Sequence, residues 1–261
     1  MPLPAQNLYR SEPVGDNPAA RLLAFVQAFR AIPGPRDANR TTVGEAIGYI
    51  LEADLSLRAD LHREVALIVD LPRQARSAIE QRPEAIPPRF AHELQAVENW
   101  LRFLNNLDQP CVGPARSLAD DAVKALEMCA ELLSLNAPEQ VATPDVLQVL
   151  RDDANDLIEQ VLATGLHPDL ATLLVDHLHL IIKALDDYRL SGAQATRAAS
   201  DQAFGAIGRA RAMGQVDEKG AKWSDMVWQY VGRVANLAVI GQAAIDAGHV
   251  LGQLGAPPHA Q

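Results

Sequence analysis

The sequence predicts an all-α protein, a multi-helix bundle of about eight to ten amphipathic helices with a long C-terminal helix. Three observations carry that prediction. Apolar residues recur at spacings of three and four almost from end to end, as in Phe90, Leu94, Val97, Leu101 and Leu104, which is the period of one buried helical face. No stretch alternates apolar and polar residues as a half-buried strand does. The breaks between periodic stretches pair capping residues with prolines, as in Asn17-Pro18 and Thr143-Pro144, where a first-turn proline loses no hydrogen bond.

Residues 1–16 read as a flexible N-terminal arm. Asn17 then caps a helix with Leu22, Phe25, Val26 and Phe29 on one face, stopping near Ile32-Pro33-Gly34-Pro35. Thr42-Val43-Gly44-Glu45 has the form of a capping box and opens a helix through Ile47, Ile50, Leu51 and Leu55, because the two side chains satisfy each other's orphan amides. Leu61, Val65, Ile68 and Val69 mark the next helix, which Pro72 is expected to kink or restart through its missing N–H and its clash with the preceding turn. Arg82-Pro83 and Pro87-Pro88 bound a loop before the helix of Phe90 to Leu104. The segment Gln109 to Pro114 breaks the pattern, and a helix from about Ser117 to Leu135 places Leu118, Ala122, Leu126, Cys129 and Leu133 inward.

Thr143-Pro144 starts a helix that ends at Gly165 in a left-handed C-cap, and Pro168 opens another through Leu170, Leu174, Leu178, Ile181, Leu185 and Tyr188. Ser191-Gly192 is a joint. From Ala193 to Met213 only Phe204 and Ile207 are large anchors, so thin packing is expected there. Gly214 to Gly220 reads as a loop, and the last helix runs from about Lys222 to Leu254, before a tail at 255–261. Residues 17–254 form a single helical domain in this reading, and 109–116 is where a split into two lobes falls.

Composition narrows the function classes. With 48% hydrophobic and 21% charged residues among 261, the chain has the balance of an ordinary globular protein. Its 23 Lys+Arg against 33 Asp+Glu give a formal charge of −10, which repels phosphate backbones and disfavours nucleic acid as a partner. Cys111 and Cys129 form no C-x-x-C pair, a pattern that fits a reducing compartment. The first residues hold no basic start followed by an apolar run, so a cytoplasmic location is expected. The excess of arginine over lysine and the abundance of alanine read as the mark of a GC-rich genome.

The sharpest enzyme-like signal is Asp152-Asp153-Ala154-Asn155-Asp156. It has the D-D-x-x-D form of all-α isoprenoid synthases, where carboxylates hold the Mg²⁺ that grips a diphosphate. At about 100° per residue, however, Leu147, Leu150, Ala154, Leu157 and Val161 form the buried stripe, and Asp152 and Asp156 point away from it. A surface-acid role is favoured, with Mg²⁺-dependent diphosphate chemistry at Asp152, Asp153 and Asp156 as the alternative. His177 and His179 lie about 200° apart on their helix and cannot chelate one ion; His177 falls among apolar neighbours and reads as a core histidine. No P-loop, G-x-S-x-G or dinucleotide fingerprint is present.

Tyr188-Arg189-Leu190-Ser191-Gly192-Ala193 follows a Leu/Ile-rich helix and precedes an Ala-rich one. The pattern resembles one in uncharacterised bacterial all-helical proteins. That resemblance covers about residues 40 to 213 and implies an all-α fold without an established activity. Read from the residues, Tyr188 extends an apolar stripe and Gly192 lets the backbone leave the helix; a partner-binding corner at Tyr188 and Arg189 is the sharper alternative. In the last helix, Gly248-His249-Val250-Leu251-Gly252 is a G-x-x-x-G that Ala244 extends, a spacing that lets backbones approach closely. Only the dozen residues 234–245 separate Arg233 from Asp246, where a membrane span needs about 20. Intrachain packing or self-association at Ala244, Gly248 and Gly252 is therefore preferred to membrane contact. The resulting expectation is a non-catalytic cytoplasmic helical interaction or regulatory protein without a cofactor. A diphosphate enzyme and a membrane-directed effector using the last helix are the alternatives.

Overall fold

Ten α-helices, a short 3-10 helix and one isolated antiparallel bridge make up the regular structure of the described residues. These are residues 17–32, 41–51, 58–81, 88–136 and 142–237 of a computed structural model. The all-α class predicted by the periodicity is the class the chain adopts. The chain is divided into two compact units, Met1–Glu139 and Gln140–Gln261.

The first unit holds α1 (Pro18–Ala31), α2 (Val43–Leu51), α3 (Arg58–Glu80), α4 (Pro88–Trp100) with its 3-10 extension Leu101–Asn105, α5 (Val112–Ser117) and α6 (Asp120–Asn136). Helix α1 touches α2, α3, α5 and α6. It is buried on most of its sides, including Ala19, Leu22, Phe25, Val26 and Phe29, and Gln27 and Arg30 carry its polar contacts. Phe29 has ring centroids 5.9 Å from Phe25, 5.9 Å from Trp100 and 4.7 Å from Phe103. The Trp100 indole N–H donates to the Pro114 carbonyl at 2.8 Å, so its polar end is satisfied. Asn17 serves two helices at once. Its Oδ1 accepts from the Ala20 N–H at 2.9 Å while its amide donates to the Ala130 carbonyl and the Ser134 hydroxyl of α6.

The capping box forms as expected. The Thr42 N–H donates to the Glu45 carboxylate at 2.8 Å, and the Glu45 N–H to the Thr42 hydroxyl at 3.2 Å. The next two orphan amides, Val43 and Gly44, donate to the carbonyls of Gln109 and Leu107, and Cys111 N–H donates to the Thr41 carbonyl. The stretch 109–116, expected as the place of a split, is thus stitched to the start of α2 inside the first unit, and the division falls between Glu139 and Gln140. Part of that stretch also becomes α5 instead of ending all helix, because Pro114 lies in a first turn whose amides need no intrahelical partner. Leu118, expected inside the following helix, is extended between α5 and α6 yet still buried.

Pro72 does not restart the helix that contains it. Helix α3 is continuous from Arg58 to Glu80, and Ile68, Leu71, Ala75 and Ile79 are buried on both sides of the proline. Packing of that stripe outweighs the lost hydrogen bond, which costs about 3 kcal/mol in an isolated helix.

Among the described residues the second unit has four helices, α7 (Pro144–Ala163), α8 (Pro168–Asp186), α9 (Tyr188–Ala212) and α10 (Glu218–Ala235). Consecutive helices pack together and α10 returns to α7. The direction of that return is antiparallel: the Lys219 ammonium near the start of α10 donates to the Thr164 carbonyl, and Tyr230 further along reaches Leu150. Short connections produce this up-and-down order. Its core includes Leu150, Val161, Leu174, Leu178, Ile181, Val227 and Tyr230. Thr143 caps α7, and Gly165 follows it at φ 64°, the left-handed position expected of a helix-ending glycine. Gly192 has φ 64° and ψ −166°, a conformation essentially reserved for glycine, so the expected joint is real and lies inside α9.

Beyond that joint α9 is not thinly packed. Thr196, Ala199, Ser200, Ala203, Ala206, Ile207 and Ala210 are all buried, since small side chains let neighbouring backbones come closer. Helix α10 starts at Glu218 rather than Lys222 because Asp217 caps it, accepting from the Gly220 N–H at 2.6 Å. Its described course ends at Ala235, and Ala244, Gly248 and Gly252 lie outside the described residues. No described helix is long and apolar enough to cross a membrane.

Gly220 sits where α10 begins against α8. A Cβ there would lie 2.5 Å from Leu170 Cδ2 and 2.9 Å from the capping Asp217 oxygen. Gly220→Ala is expected to cost about 1–3 kcal/mol by overpacking, against the few tenths that alanine gains from the unfolded state. Urea unfolding measures it, and an unchanged midpoint would show that Leu170 moves aside freely.

Candidate interaction surface

The antiparallel pair α9 and α10 places an aromatic cluster at the surface of the second unit. On α9, Arg197, Asp201, Phe204, Gly208 and Arg211 follow at spacings of four, three, four and three, and on α10 Asp225, Trp228 and Gly232 follow at three and four. Each set is one helical stripe. The two stripes meet where the Phe204 and Trp228 rings lie 4.5 Å apart at 58°. Phe204 is half-buried against the core, and Trp228 is 38% exposed.

Arg211 fixes one end of the cluster. Its guanidinium lies 5.4 Å from the centre of the Trp228 ring and donates to Asp225 Oδ1 at 2.6 Å and to the Ser224 hydroxyl at 2.9 Å. The indole therefore meets a cation on its face and an aromatic ring beside it, a pre-ordered arrangement. Gly208 and Gly232 lie about one turn to either side of the aromatic pair, and a Cβ at either would meet nothing within 4 Å. Bare backbone thus flanks an aromatic ridge. Arg197 and Asp201 are exposed and form no ion pair with another described residue.

The charged groups singled out from the sequence go elsewhere. Asp152 is exposed and accepts from Gln148 at 2.8 Å, while Asp156 is exposed further along α7. Asp153 makes an ion pair with Arg233 of α10 at 2.8 Å. Asp153 is thus drawn away from the exposed Asp152 and Asp156, and no three His, Cys, Asp or Glu side chains among the described residues are placed to hold a metal ion. Arg151 pairs with Asp186 across α7 and α8 at 2.6 Å, so this stretch of α7 holds helices together. Asp152→Ala is expected to change stability by less than about 0.5 kcal/mol and Asp153→Ala to cost about 1 kcal/mol. Paired melting curves check this, and equal losses would mean that the Arg233 pair contributes nothing.

His177 is half-buried, with Nδ1 at 2.8 Å from the Leu173 carbonyl, and His179 is exposed. Tyr188 is only 3% exposed and belongs to the core of the second unit. The apolar stripe of the preceding helix carries the tyrosine inward, as its spacing predicts, while Arg189 beside it is exposed. Tyr230 is buried as well and donates to the Leu150 carbonyl at 2.9 Å, and burial raises its pKa. Cys111 and Cys129 are buried free thiols. Burial raises both, Cys129 to about 11, which leaves almost no thiolate for nucleophilic chemistry near neutral pH.

Trp228 and Arg211 do not stand out in the sequence. Asp225 and Gln229 assign that side of α10 to water, and the one available signal is a tryptophan on a polar face. In comparisons with known proteins, no protein-family model, no curated protein and no solved structure matches this chain.

Proposed function

We propose that this chain is a non-catalytic helical interaction or regulatory protein of the cytoplasm, and that the α9/α10 stripe is its contact surface. The observation that carries the reading is the exposed Trp228, stacked beside half-buried Phe204 and held by Arg211. Tryptophan and arginine are the residue types that concentrate binding energy at interface centres, and a side chain already held in place loses little entropy on binding. Two free cysteines are consistent with a reducing compartment. The likeness of Tyr188–Ala193 to uncharacterised bacterial helical proteins adds no activity to this reading.

A photo-crosslinking side chain at exposed Gln229, beside Trp228, tests the proposal in cells producing the chain. A discrete adduct is expected from position 229 and none from position 159, an exposed glutamate on α7. Absence of any adduct at 229, with the protein folded, sinks it.

A further inference from the structure

We draw no further inference here: the strongest candidate, the aromatic ridge of Phe204 and Trp228 on the α9/α10 surface of the second unit, belongs to the contact surface already proposed, and nothing in the structure shows what covers it.

Discussion

Phe29→Ala is expected to destabilise the first unit by about 3–5 kcal/mol, the cost of deleting a fully buried aromatic ring and leaving a cavity. The size follows from its surroundings. Phe29 is wholly buried and faces three other rings, on α1, α4 and the 3-10 extension. Each ring pair adds about 0.5–1.5 kcal/mol beyond area burial. Trp100 cannot collapse into the vacated space without giving up its bond to the Pro114 carbonyl, so relaxation is limited. Urea unfolding followed by tryptophan fluorescence, with hydrogen exchange to locate the loss, measures the effect. A cost below about 1 kcal/mol would mean that the ring cluster repacks, contrary to the geometry.

Leu174→Ala is expected to cost about 2–5 kcal/mol in the second unit. Leu174 is fully buried in the middle of α8, the helix that packs on α7 and α9 and also touches α10. Its truncation removes contacts from the middle of that unit's core. The control is Leu180→Ala on the exposed side of the same helix, which should change stability by less than about 0.5 kcal/mol. Equal effects at the two positions would invert the assignment of the α8 faces. The register of α8 follows from the sequence alone, since Leu170, Leu174, Leu178, Ile181 and Leu185 are all buried as their spacing predicts.

The interaction surface was much less legible. Phe204 reads from the sequence as a core anchor in an alanine-rich helix, and it is one on one side only. What turns it into half of a surface pair is the ring of Trp228, 24 positions later in the chain on a face otherwise given to water. The Asp-rich motif of α7 shows the converse. Its spacing suggests a shared ligand, yet Asp153 is claimed by Arg233 from a helix 80 positions away.

Helical class, buried stripes and most helix ends are properties of the sequence by itself. The bonds and spacings involved reach only three or four residues: Asn17 and Thr143 as caps, Thr42 with Glu45 as a box, Gly165 as a stop. Tertiary structure alone decided that α3 continues through Pro72, that residues 107–111 clasp α2 and that the chain divides after Glu139. A single helix's pattern states which face is apolar but not which other face will cover it, because many helices present equivalent stripes. That choice is made by the packing of whole surfaces, where shape and polar partners far apart in the chain must agree at once.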